Sequence, residues 1–137
     1  MAFSVQIKPR FVMRFIMAAF YLAAGIFHIT SPQGFIRIVP SFVPWPAEVV
    51  WLTGVAEIAG AIGLMLPRLQ KAAGIGLALY AICVFPANIN HASNQIDVGV
   101  LPNSWWYHAP RFALQPVLVW WALFCSEVLD WPWQRNR

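Results

Sequence analysis

Charge is scarce in this chain: lysine, arginine, aspartate and glutamate make up 10% of 137 residues, against 60% hydrophobic. That is too little polar surface for a soluble domain of this size. The charges also sit in a few clusters between long bare stretches, which is the membrane pattern. Acid is scarcer than base, five residues against nine, for a formal net charge of +4. The excess forms no basic face with interleaved polar residues; it flanks apolar runs. Nucleic acid is therefore not an expected partner, and the charge reads as a topology signal. Cysteine is limited to Cys83 and Cys125, both inside apolar runs and without CxxC spacing. If neighbouring spans run antiparallel, these two lie at different depths. A disulfide needs Cα atoms within about 7 Å, so both are read as small apolar fillers. No haem or iron–sulfur ligand set is visible.

What is present is apolar length. Four stretches approach the roughly 20 residues that cross a bilayer as helix, at about 11–29, 49–66, 72–89 and 109–129. The second helix is expected to begin at Pro46 or Ala47, because proline suits a first turn. The first stretch follows Lys8, Arg10 and Arg14 but leads into His28-Ile29-Thr30-Ser31-Pro32 with no small-residue cleavage site, so it reads as an uncleaved span. Lys8, Arg10, Arg14, Arg68, Lys71, Arg135 and Arg137 fall on one side if the spans alternate, leaving Arg37 and Arg111 for the other. The positive-inside rule then puts both termini in the cytoplasm. The expected fold is all-α: a single transmembrane four-helix bundle over 1–137.

Two longer connections belong to the outer side. The first, Ser31 to Trp45, holds Pro32, Pro40 and Pro44, which prevent a continuous helix, with Phe35, Phe42 and Trp45 between them for the interface. The second, His91 to His108, carries the anchor Trp105-Trp106-Tyr107; Trp131 and Trp133 serve the inner end.

Polar residues within this apolar frame mark the candidate site. Glu57 lies near the middle of the second stretch, where a carboxylate costs roughly 2.5 kcal/mol or more to insert unless it meets a partner or water. On the helical wheel it shares a face with Thr53, Gly54, Gly60 and Ala61, all small, so it is expected to point at other helices and not at lipid. His28 has Ala24 and Gly25 one turn below it. Asn88 and His91 share a face of the third span, and Pro86 frees a carbonyl about one turn earlier for use as an acceptor. Arg111 opens the fourth span, with Gln115 a turn deeper.

Alternating directions place His28, Asn88, Arg111 and Gln115 in the outer half, with Glu57 about 12 Å below the outer end of its span. A polar cavity with Glu57 at its floor is the simplest picture, and the candidate ligand-binding residues are Glu57, His28, Asn88, Arg111 and Gln115. Each also has a structural reading. Glu57 serves equally as a strut bonded to Gln115, Tyr80 or a freed carbonyl; Arg111 serves equally as a lipid-headgroup contact. A metal centre is not expected, because His28, Glu57 and His91 show no paired ligand spacing on one helix.

Gly25-Ile26-Phe27-His28 with Pro32, Val39-Pro40 with Pro44, Gly54-Val55-Ala56-Glu57-Ile58-Ala59-Gly60 and Phe85-Pro86-Ala87-Asn88 together resemble the DoxX-like family of small four-helix membrane proteins. The resemblance covers about Phe15 to His91. It implies an integral bundle, usually in the bacterial cytoplasmic membrane. Members are linked to quinone-coupled sulfur oxidation, to maturation of methylamine dehydrogenase and, in animals, to chaperoning of receptor subunits. The expected role is an accessory or assembly subunit, among membrane lipid and other membrane subunits or copies of itself. The alternative is a subunit that binds a quinone or lipid in a redox complex, with any turnover supplied by partners. A transporter is the least favoured, because the inner half is apolar.

Overall fold

The structure, a computed structural model, describes residues 8–99 and 101–132. It is all-helical, with no strand among the described residues. Four long helices and one short one follow in order: α1, Pro9–Thr30; α2, Gln33–Ile38; α3, Pro46–Met65; α4, Gln70–Ser93; and α5, Trp105–Cys125.

Proline sets several boundaries. Pro9 and Pro46 occupy the first turns of α1 and α3, where a missing N–H goes unnoticed. The expected start of the second span at Pro46 is thus the observed one. Pro86 sits inside α4, which continues past it to Ser93, beyond the anticipated 89. α5 begins four residues before the expected 109 and ends before the expected 129. Glu127 there takes a positive φ of 64°, which no helix continues through. The first long connection is not wholly irregular: between Pro32 and Val39 the chain fits the six residues of α2. This short helix lies over α3 and α4 and is tied to the latter by Asn90 Nδ2, which donates to the Ile38 carbonyl at 2.9 Å.

α1, α3 and α4 are long and apolar enough to cross a membrane. α5 has the length, but Trp105, Trp106, Tyr107, His108, Arg111 and Gln115 crowd its first half and dilute its apolarity. Side chains such as Phe15, Phe20, Leu79 and Ile82 stand more than half exposed on the outward faces. An apolar exterior of this kind suits lipid as its solvent.

Neighbouring long helices run in opposite directions. Trp121 Nε1 on α5 donates to the Met13 carbonyl near the start of α1, while Asn88 near the end of α4 meets Arg111 near the start of α5. The buried residues follow helical spacing: Met17, Ala18, Tyr21 and Gly25 on α1, and Val50, Gly54, Glu57, Ala61 and Leu64 on α3. Met17, Leu64, Leu77, Ala122 and Cys125 fill the centre. Both cysteines are free thiols, Cys83 exposed and Cys125 buried.

The end opposite α2 gathers charge. Arg14 donates through Nε to the Cys125 carbonyl at 2.9 Å and through Nη2 to Glu127 at 3.1 Å. Arg10 pairs with Asp130 at 2.8 Å and lies 4.2 Å over the Phe124 ring. The cationic start of α1 is therefore matched by acids after α5. Arg135, Arg137 and Trp133, assigned to this end from the sequence, lie outside the described residues.

Candidate functional site

The five residues singled out from the sequence occupy two helix interfaces. His28 and Glu57 meet where α1 packs on α3. Asn88, Arg111 and Gln115 meet where α4 packs on α5.

The first group depends on a close backbone approach. Gly25 and Gly54 face each other so tightly that a Cβ on Gly25 would lie 2.6 Å from the Gly54 carbonyl oxygen. In this antiparallel pair Gly25 lies opposite Glu57 and Gly54 opposite His28, a Cβ on either glycine falling 3.1 or 3.0 Å from the facing Cβ, so the same approach brings the two polar side chains together. Glu57 is 3% exposed and enclosed. Its Oε1 accepts from the Tyr80 hydroxyl of α4 at 2.8 Å, so one carboxylate touches three helices. Its Oε2 lies 2.8 Å from His28 Nδ1. That nitrogen is also 2.9 Å from the Ala24 carbonyl, and a single N–H points one way. The aligned acceptor is Ala24; Glu57 Oε2 lies beside the imidazole with no aligned hydrogen. Phe35 of α2 stacks on the other side of the imidazole, 3.7 Å between centroids at 24°, and holds the ring in place. Of the three partners the sequence allowed for Glu57, Tyr80 is the one found.

The second group is a network around a guanidinium. Arg111 Nη2 donates to Asn88 Oδ1, and Nη1 lies 3.2 Å from His91 Nδ1. The Tyr107 ring lies 5.1 Å from the guanidinium carbon. Asn88 passes the network on, its Nδ2 reaching Gln115 Oε1 at 3.5 Å, and Gln115 Nε2 donates to the Ala81 carbonyl. This acceptor is one residue before the carbonyl that Pro86 leaves without an N–H, in the turn the proline ring crowds. Since Tyr80 and Ala81 are successive residues, the two groups reach α4 at one level from two sides.

The sequence reading missed His108 and left His91 outside the site. Both are buried, at 2% and 0% exposure, with ring centroids 4.7 Å apart. A signal was available: His108, Arg111 and Gln115 stand at i, i+3 and i+7, which is one helical face. Starting the span at 109 hid it.

Arg111 uses its fork to bind two acceptors at once, and lysine presents only a point charge. Arg111→Lys is expected to lower stability by about 1–2 kcal/mol, since one of Asn88 or His91 is left unpaired. Detergent-micelle unfolding followed by circular dichroism measures this; a variant as stable as the parent would show that the network carries no weight.

Away from both groups, Trp105, Trp106, Ala109, Pro110 and Ala113 line an open apolar hollow of about 520 Å³ on the outward side of α5. Trp106 is 91% exposed there.

A family profile described as Domain of unknown function (DUF8561) matches residues 17–126, which spans both groups. No curated protein and no solved structure matches the chain.

Proposed function

We propose, for a chain that belongs to the family described as Domain of unknown function (DUF8561), the role of an accessory or assembly subunit of a membrane complex. In this reading the four long helices form a DoxX-like transmembrane bundle in the bacterial cytoplasmic membrane. Both termini are cytoplasmic and α2 covers the outer end. Arg10, Arg14, Arg68 and Lys71 at the inner end, against Arg37 and Arg111 at the outer, support that orientation.

The observation that carries the accessory role is how the polar side chains are used. Each of Glu57, His28, Asn88, Arg111 and Gln115 is engaged across a helix interface: carboxylate to imidazole and phenol, guanidinium to amide and imidazole, amide to backbone. Groups engaged in this way brace a bundle that partners assemble on. The expected neighbours are membrane lipid and other membrane subunits or further copies of the chain. Purification from native membranes in mild detergent tests this. A stoichiometric membrane partner or a defined homo-oligomer is expected; a lone 15.5 kDa chain that leaves every neighbour's assembly intact when deleted sinks the role.

One observation favours a second reading, in which the subunit binds a quinone or lipid. Glu57 Oε2 is enclosed yet has no aligned hydrogen, and a hydroxyl would supply one. Organic extraction of the purified protein then yields a bound molecule that Glu57→Gln loses, whereas an extract unchanged by that substitution removes this reading.

A further inference from the structure

α2 is held at its edges and has no core of its own. None of its six residues is buried. Gln33 and Arg37, one turn apart, stand exposed on one face, and Phe35 and Ile38 share the opposite, half-buried one. Three attachments hold it down. Phe35 packs on α1, 3.7 Å from the His28 ring and 5.5 Å from the Phe27 ring. Asn90 of α4 donates to the Ile38 carbonyl at 2.9 Å, and Arg37 donates to the Asp97 carbonyl at 3.2 Å in an exposed place. The backbone leaves helical geometry on both sides, at Ser31 with ψ of 60° and at Val39 with ψ of 128°. α2 can therefore turn as a unit without unwinding α1. Segments with few buried contacts and exposed hydrogen bonds are the ones that open first.

Under this helix three side chains lie in layers: the Phe35 ring, the His28 ring and the Glu57 carboxylate. Glu57 Oε2, enclosed and without an aligned hydrogen, is thus two layers below a helix that buries nothing. The other sides of the carboxylate are taken. The Gly25–Gly54 approach shuts the seam between α1 and α3, and Tyr80 closes the side towards α4.

We infer that α2 is a lid over Glu57. It swings on its two ends, carries Phe35 off the imidazole and so opens the way to the carboxylate for a lipophilic molecule bearing a hydroxyl. It closes when Phe35 stacks on His28 again. The lid rests on the reading of Glu57 as the acceptor for a quinone or lipid, and hinges at element ends are where such motions are absorbed.

A disulfide tests it. A Cβ on Gly34 would lie 3.4 Å from Val98 Cβ, close to the roughly 3.5–4.5 Å that a disulfide spans. Val98 follows Ile96, whose N–H donates to the His91 carbonyl at 3.2 Å, so the bridge ties α2 to the end of α4. The full chain with Gly34→Cys and Val98→Cys also carries Cys83→Ser, which removes the exposed thiol. It is reconstituted in phosphatidylglycerol–phosphatidylethanolamine vesicles and treated with dicyclohexylcarbodiimide, an apolar reagent for buried carboxyl groups. Mass spectrometry of the Glu57 peptide follows the modification. The oxidised form is expected to label at least about tenfold more slowly than the same protein after reduction, because α2 then governs access. Phe35→Ala in the parent chain is expected to label severalfold faster than the parent. Equal rates in the oxidised and reduced forms overturn the lid, as does a Glu57 left unlabelled in both. If the bridge does not form, Phe35→Ala decides alone, and a rate equal to the parent's overturns the lid. The organic extract reports separately on the ligand. An extract unchanged by Glu57→Gln beside a bridge-dependent rate removes the quinone or lipid and keeps the lid; a bound molecule beside a bridge-independent rate does the reverse.

Discussion

Gly25→Ala is expected to destabilise the protein by about 3 kcal/mol, although alanine is the better helix former. The added Cβ would lie 2.6 Å from the Gly54 carbonyl oxygen, 2.8 Å from Ile58 Cγ1 and 3.1 Å from Glu57 Cβ. The approach is mutual: a Cβ on Gly54 would meet the Gly25 carbonyl at 2.9 Å, Ile29 Cγ1 at 2.9 Å and His28 Cβ at 3.0 Å. A backbone carbonyl cannot rotate aside, so a methyl group at either position drives α1 and α3 apart. The same separation stretches the 2.8 Å contact between His28 and Glu57, and packing and polar losses add. Between helices in lipid, close packing is the main attraction available, so the cost is not recovered elsewhere.

Gly76 is the control, because a Cβ there meets nothing within 4 Å. Gly76→Ala is expected to be neutral or to stabilise by about 0.5–1 kcal/mol through helix propensity alone. Gly60 falls between, since its Cβ would press on the movable end of the Leu77 side chain. Unfolding in mixed micelles of rising dodecyl sulfate fraction, followed by circular dichroism, ranks the three. Equal effects at positions 25 and 76 would show that the α1–α3 interface is looser than described.

The interface was half legible in the sequence. The small faces around Glu57 and His28 could be read because Thr53, Gly54, Gly60 and Ala61, like Ala24 and Gly25, recur at three and four residues, and that spacing fixes a face whatever the partner. That these faces meet each other, and that Tyr80 completes the contact, depends on how the helices are arranged, which spacing does not specify. The α5 network was visible as Arg111 and Gln115, but the aromatic run before them looked like a loop anchor, and His108 was lost with it. α2 was hidden by Pro32 and Pro40, which bracket a stretch just long enough for one short helix. The expected four spans correspond to four long helices, yet only three carry enough apolar residues to qualify as spans by composition. The polar first half of α5 is what excludes the fourth, and the same residues build its network.

Glu57→Ala is expected to cost about 3–5 kcal/mol, the range for removing one partner of a buried charged pair, because the Tyr80 hydroxyl loses its acceptor and the His28 imidazole its carboxylate neighbour. The side chains of His28 and Glu57 are 14% and 4% exposed, so solvent does little to compensate. Glu57→Gln separates shape from charge. Its amide oxygen still accepts from Tyr80, so it is expected to cost about 1 kcal/mol if the carboxylate acts as a hydrogen-bonding strut. A loss close to that of alanine would mean the attraction to a protonated His28 holds the interface. Tyr80→Phe supplies the third measurement. In a double-mutant cycle with Glu57→Ala its effect is expected to be strongly non-additive, since the two side chains share one bond. Gln115→Ala is expected to combine additively with Glu57→Ala, because their bonds end on different atoms of α4, the Tyr80 hydroxyl and the Ala81 carbonyl. Coupling in that second cycle would mean that α4 moves as a two-position element between the groups, and the polar side chains would then belong to one responsive site and not to two independent braces.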